Sequence, residues 1–195
     1  LLNFKNQESK EVLPFGKQGT WIVYQSHHEK LLKKKKIKSV KALFYLTLQD
    51  ESLHYIVSLK RHDKMKSKKD GRYEFLGGRV DKKEKVLTAL IRETTEEDNS
   101  LTLARQLRSV LEFKPQQLKY KLITLKNGTT HAIFILPLKE DQWLELNEYY
   151  QNNNHESSET YGFERLDASY FSLEKKIKLN WTPQTIRIFK ALRRE

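Results

Sequence analysis

Gly77-Gly78-Arg79-Val80-Asp81-Lys82-Lys83-Glu84, running on to Arg92-Glu93-Thr94-Thr95-Glu96-Glu97, is the stretch that decides the fold. The paired glycines open a tight turn, where backbone can approach a ligand closely. Val86, Leu87, Leu90, Ile91 and Thr94 then recur at helical spacing and make one apolar stripe, which predicts a helix from about Lys85 to Asp98. Asp81-x-x-Glu84 also has the form of a capping box, which would start that helix earlier. Glu93, Glu96 and Glu97 stand at i, i+3 and i+4 and share a neighbouring face. Three like charges repel, and a cation among them relieves the repulsion. A hard ion such as Mg²⁺ takes one or two carboxylates together with substrate phosphates. The stretch therefore reads as a metal and phosphate site built on a turn and a helix.

The spacing Gly-x5-Glu-x7-Arg-Glu-x2-Glu-Glu resembles the signature box of the Nudix hydrolases, matched here by Gly78, Glu84, Arg92, Glu93, Glu96 and Glu97. Six fixed positions coincide by chance in about 10⁻⁷ of windows at ordinary residue usage. A Glu-rich helix is most often merely solvated, and the register with Gly78, Glu84 and Arg92 is what sets this one apart. Tyr73-Glu74-Phe75-Leu76 resembles the family's lead-in, with Leu76 where a proline often stands. The box departs at Thr94, usually aliphatic, and at Asn99-Ser100, where the family has glycine and an aliphatic residue. Asn99 is expected to take the left-handed conformation in place of glycine, with Leu101 supplying the apolar contact. The resemblance covers the box, Gly78 to Ser100, favours the later helix start with residues 79–83 as loop, and implies an α/β fold, a Nudix-like α/β/α sandwich with a mixed sheet.

The chain has 195 residues and no cysteine, which excludes disulfides, thiolate metal sites and a cysteine nucleophile. Its length suits a single domain, 1–195, with residues 1–19 as an N-terminal extension. No apolar run reaches membrane-spanning length, and no apolar core follows Leu1-Leu2-Asn3-Phe4-Lys5 as it would in a signal peptide. The expectation is a cytoplasmic protein with no membrane partner. The net charge is +12, and residues 30–72 hold 14 Lys and Arg against 4 Asp and Glu, a local excess of +10. Such a block suits a polyanionic ligand, or serves solubility alone.

Around the box, Trp21 to Tyr24, Val40 to Leu48, Leu53 to Lys60, Arg72 to Leu76, Leu107 to Phe113, Leu118 to Leu125, Thr129 to Leu136 and Tyr161 to Leu166 read as strands. Asn127-Gly128 marks a hairpin between two of them. Asp141 to Tyr150 reads as a helix with Trp143, Leu146 and Tyr150 on one side. Thr182-Pro183 opens a last helix through Ile186, Phe189 and Leu192. His27-His28 and Lys33 to Lys36 read as surface loop, and 151–159 as a polar loop.

The Nudix resemblance implies hydrolysis of a nucleoside diphosphate linked to another moiety, X. It places Mg²⁺ (or Mn²⁺) on Glu93, Glu96 and Glu97 with the Gly77 carbonyl, and Glu84 either on a further ion or paired with Arg92. Arg92 would orient Glu93. The general base would be Glu93 or a glutamate of the later loop, Glu156 or Glu159, of which Glu159 is preferred because it just precedes an aromatic strand. Arg61, Arg72 and Arg79 are candidate phosphate contacts. The basic block favours a phosphate-rich substrate such as a dinucleoside polyphosphate, a diphosphoinositol polyphosphate or capped RNA, with ADP-ribose or a nucleotide sugar as the simpler choice; the partner expected is a nucleotide-derived small molecule, with RNA as an alternative. A second class of function is a Nudix-fold binding module whose lysines hold RNA or another polyanion.

Overall fold

The computed structural model describes residues 21–50, 52–60, 71–153, 159–167 and 181–192. Residues 1–19, the lysines at 64, 66, 68 and 69, Arg61 and Glu156 lie outside the described residues.

The elements run β1 (Ile22–Val23), α1 (His28–Lys34), β2 (Ser39–Thr47), β3 (Leu53–Lys60), β4 (Arg72–Glu74), α2 (Val86–Glu97), α3 (Thr102–Phe113), β5 (Lys119–Thr124), β6 (Thr130–Pro137), α4 (Glu140–Asn152), β7 (Thr160–Asp167) and α5 (Pro183–Leu192). They build one mixed sheet with helices on both faces, an α/β/α sandwich. Strand order is β1-β5-β6-β2-β3-β4, with β7 on the other edge of β3. β2 and β6 run parallel, and the remaining pairs are antiparallel. No helix among the described residues is long and apolar enough to cross a membrane.

A two-sided sheet explains why β2 is buried almost throughout rather than on alternate residues. Val40, Ala42, Phe44 and Leu46 face one core with Ala89 and Leu90 of α2, Leu103 and Leu107 of α3 and Leu146 of α4. Leu43 faces the other, with Tyr55, Ile133, Ile135 and, from α5, Ile188 and Leu192. α5 therefore turns Thr185, Ile188 and Leu192 inward and leaves Ile186, expected on the apolar face, exposed.

Three expectations are corrected. Leu107 to Phe113 is not a strand but the second half of α3. Leu103, Leu107 and Val110 fall at i, i+4 and i+7 and are all buried, while Phe113 is exposed. The run Lys33 to Lys36 is not wholly loop: α1 extends through Lys34, and its basic last turn suits the carbonyl end of a helix. His28 opens that helix and packs edge-on against Tyr24 and Tyr120. Third, the left-handed residue after α2 is Leu101, at φ 61°, and not Asn99. Asp98 is the reason. Fully buried, it accepts from Ser100 N, Ser100 Oγ and Leu103 N, and so starts α3 directly instead of releasing a conventional helix end.

Helix α2 begins at Val86, so Asp81-x-x-Glu84 is not its cap, although Asp81 N does donate to Glu84 at 2.9 Å. The cap comes from a distant element. Glu29 of α1 accepts from Val86 N and Leu87 N at 3.2 and 2.9 Å, taking the place of an N-cap side chain.

The glycine turn is wedged between strands. β3 pairs with β2 over Leu53 to Ile56 and with β4 over Ser58 to Lys60 on the same edge, because β7 holds the opposite edge throughout. Where β2 and β3 part, the chain after β4 enters the gap and bridges Ala42 to Leu76 and Ser39 to Arg79. Gly77 lies between these bridges at φ +118°, and a Cβ there would meet the Val40 carbonyl oxygen at 2.4 Å and Lys41 Cα at 3.0 Å. Gly77→Ala is expected to cost at least about 2 kcal/mol, from backbone strain and from a clash that rigid strand atoms cannot relieve. Gly128, at φ +78° with nothing within 4 Å, is the control. Gly128→Ala carries the strain alone, about 1 kcal/mol. Urea midpoints of both variants check this, and equal losses would show that the close approach at Gly77 is unimportant.

Candidate active site

The wedge delivers Gly77-Gly78 to the mouth of a cavity of about 630 Å³. One wall is the α2 carboxylates Glu93, Glu96 and Glu97. The floor and opposite wall come from Ser39, Lys41, Lys60 and His131 on the sheet, and the rim from Asn127, Glu159, Thr160, Gln184 and Arg187.

Arg92 is the hub of the carboxylate wall. Its Nε and Nη2 donate to the two Glu84 oxygens at 3.0 Å each, a bidentate pair, and Nη2 also reaches the Arg79 carbonyl at 2.9 Å. Nη1 donates to Glu93 at 2.7 Å and to Glu96 at 3.2 Å. The Arg92 hydrogen bonds hold the Glu84 carboxyl below its usual range. Glu84 is thus paired with Arg92, one of its two expected roles. A Cβ on Gly78 would lie 2.2 to 2.6 Å from the Glu93 carboxylate atoms, so any side chain there would displace that carboxylate.

Glu97 sits apart from this hub, its side chain 8% exposed. One oxygen accepts from Lys60 Nζ, and the other from Gly77 N at 2.9 Å. Burial pushes the Glu97 carboxyl up, against the pull of Lys60 and Lys41. Burial works to lower Lys60, but the Glu97 charge and hydrogen bond, with the charges of Glu74 and Glu159, together outweigh it and raise Lys60 overall. Lys60 also reaches Glu159 at 3.2 Å, which ties the rim to the α2 wall. Lys41, buried in β2, donates to Glu74 at 2.7 Å and to the carbonyls of Phe75 and Gly77. The Gly77 carbonyl, expected to face a metal, here accepts from a lysine and keeps its second lone pair.

Opposite, His131 lies with Nδ1 2.6 Å from Ser39 Oγ and Nε2 3.2 Å from Thr129 Oγ1. Burial, Lys41 and Lys38 together push it below the usual imidazole range. The Thr160 hydroxyl is buried with no hydrogen-bond partner among the described residues.

Of the residues singled out in the sequence, the structure brings Gly77, Arg79, Glu93, Glu96, Glu97 and Glu159 onto one cavity, with Arg92 and Glu84 behind the carboxylate wall. Arg72 pairs with Lys60 in the β3–β4 ladder and is not among the residues that line this cavity. Arg61 lies outside the described residues. Sequence reasoning missed Lys38, Lys41, Lys60, His131, Thr160 and Arg187 as wall residues. The local basic excess was the only signal for the first three.

As placed, no three carboxylate or imidazole side chains converge on one point among the described residues. The donor set nonetheless fits a hard divalent cation. Five carboxylates, Glu74, Glu93, Glu96, Glu97 and Glu159, line the cavity with Gly77, and among the described residues Glu96, 58% exposed, is tied only through Arg92. Closing on an ion requires Glu93 and Glu96 to trade part of their contact with Arg92 for it.

The model of the Nudix domain matches residues 39–177, most of the chain, and the chain belongs to the Nudix family. Solved structures with a similar course include a Nudix hydrolase from M. smegmatis, RenU, at 11% identity, covering 80% of this chain and 83% of that one, TM-score 0.43. A C. elegans Ap4A hydrolase aligns at 16% identity, 78% and 93% coverage and TM-score 0.42. A mutT/nudix family protein from Listeria innocua aligns at 13% identity, 79% and 88% coverage and TM-score 0.44. No functionally curated protein matches the sequence.

Proposed function

We propose that this protein is a metal-dependent pyrophosphohydrolase that cleaves the diphosphate linkage of a nucleoside diphosphate joined to a second moiety, X. One observation carries the reading: a wall of carboxylates faces cations that have no carboxylate partner. Lys41, Lys60 and Arg92 are spent on the glutamates. Lys38, Arg79 and Arg187 line the same cavity and join no ion pair among the described residues, which leaves them for an anionic ligand. Hydrolysis adds water across the anhydride: the water oxygen bonds to one phosphorus, the bridging P–O bond breaks, and two phosphate monoesters leave.

Glu93, Glu96 and Glu97, with the Gly77 carbonyl, are the residues that would hold Mg²⁺ or Mn²⁺, which when bound neutralises the diphosphate and acts as a Lewis acid. Arg92 holds Glu84 and Glu93 in register and shields the wall from its own repulsion. Gly78 gives Glu93 its place against the backbone. Lys38, Arg79 and Arg187 bind and orient the phosphates, offsetting charge that grows on the leaving group. Glu159 is positioned at the rim by Lys60 and takes the proton of the attacking water. The orphaned Thr160 hydroxyl beside it is a ready partner for a substrate oxygen.

The test is a panel of ADP-ribose, nucleotide sugars, dinucleoside polyphosphates and capped RNA with Mg²⁺ or Mn²⁺, read by product mass. At least one member should yield a nucleoside monophosphate and a phosphorylated X, and excess EDTA should abolish it. Binding without turnover in either metal would instead make the chain a polyanion-binding Nudix fold.

A further inference from the structure

We propose that the β5–β6 hairpin and α5 form a second anion subsite, which receives a nucleoside phosphate lying beyond the scissile diphosphate. X is then a second nucleotide or the 5′ end of an oligonucleotide. The inference rests on the functional reading above for where the diphosphate lies.

A second cavity, of about 490 Å³, adjoins the first. Leu125, Asn127 and Arg187 line both, so the two lie side by side along the hairpin. Its charged lining is Lys126, Arg187 and Lys190, with no carboxylate. None of the three joins an ion pair among the described residues, unlike the cations of the α2 wall. The fold forces this grouping. Ile188 and Leu192 are buried against the sheet, which leaves Arg187 and Lys190, at i and i+3, together on the open side of α5. The hairpin turn sets Lys126 against that side.

Three clustered cations that join no ion pair among the described residues repel one another, and a phosphate-rich ligand relieves them. Arg187, shared by both cavities, offers a planar fork that suits phosphate. The rest of the lining includes Leu125 and Ala191, apolar surface between the cations. Cations spaced around an apolar patch match a nucleoside phosphate, which carries a base and sugar between its charges. A compact ring crowded with phosphates would leave that patch uncovered. The volume lies within the range of ordinary small-ligand sites.

The test measures equilibrium binding to the full chain in Mg²⁺, using methylene-bridged phosphate chains so that no turnover is needed. The probes are an ATP analogue, a dinucleoside tetraphosphate analogue and a 5′-triphosphorylated pentanucleotide. The expected result is that one of the two longer probes binds at least about tenfold tighter than the ATP analogue at low salt. The Lys126→Ser/Lys190→Ser variant should remove that excess and leave ATP-analogue affinity within about twofold. For the pentanucleotide it should also flatten the slope of log K against log salt by about 1.4, two contacts at about 0.7 each. An excess for the dinucleoside probe assigns the subsite to a second nucleotide, and an excess for the pentanucleotide alone assigns it to a chain. Equal affinity for all three probes, or an excess that survives the double variant, overturns the proposal. Failure of the hydrolytic reading shows separately, as absent turnover of natural substrates alongside intact binding.

Discussion

Glu97→Gln is expected to lower kcat at least about 100-fold, on the order of 3 kcal/mol of transition-state stabilisation. The side chain keeps its shape, but the carboxylate it replaces accepts on both oxygens, from Lys60 Nζ and from Gly77 N. A glutamine has one acceptor oxygen, so one of these buried donors loses its partner at a cost of about 1–3 kcal/mol. Part of the loss in activity is therefore a loss of local order, and a second variant separates the two. Glu96 is more than half exposed, and among the described residues its one ion pair is with Arg92, at i, i+4. Such a pair contributes under about 0.5 kcal/mol. Glu96→Gln should leave the urea midpoint nearly unchanged and still reduce kcat at least about tenfold, because it removes a charge from the metal-facing wall. The measurements are kcat at saturating Mg²⁺ and chemical denaturation of both variants. Glu97→Gln retaining activity within a few-fold of the native chain, or turnover persisting in EDTA, would sink the metal-dependent reading.

Short-range patterns carried most of what was legible in the chain. The 3.6-residue stripe, with the later start that the Nudix resemblance favoured, located α2 to within one residue at each end. Alternation and Asn127-Gly128 located β2, β3 and the β5–β6 hairpin, whose Gly128 takes a positive φ as its turn requires. The box placed Glu93, Glu96 and Glu97 on one wall because their relation is local to a single helix. α3 was misread because its stripe starts at Leu103, before the segment taken as strand. Within Leu107 to Phe113 alone, three apolar residues fit either period.

What stayed hidden was set by long-range pairing. Ser39 and His131 meet across the parallel β2–β6 ladder, 92 residues apart in sequence. Glu29 caps a helix 57 residues further on. The density of positive charge in residues 30–72 was visible, but not its division of labour. Lys41 and Lys60 point inward to neutralise glutamates, while the free cations of the second cavity come from the hairpin and the last helix. Composition reports how much charge there is, and only the sheet order decides which charges face a ligand.

Glu159→Gln is expected to lower kcat about 100-fold while KM stays within about twofold, the signature of a lost general base. Glu159 is 77% exposed, held to the site by one contact of 3.2 Å to Lys60. A group so placed can swing to a water and accept its proton. Glu93 is the competing base, but one of its oxygens is engaged by Arg92 at 2.7 Å and its carboxylate is packed against Gly78. Its surroundings suit a ligand that shifts only from Arg92 toward the ion. Both Glu159→Gln and Glu93→Gln should therefore be slow, and the pH profile of kcat tells them apart. Loss of the base removes the rise of kcat with pH on the acidic side, whereas loss of a ligand lowers the whole profile and keeps that rise. If Glu159→Gln turns over normally and Glu93→Gln alone loses both activity and the acidic limb, then Glu93 is the base, and Glu159 is only a surface partner of Lys60.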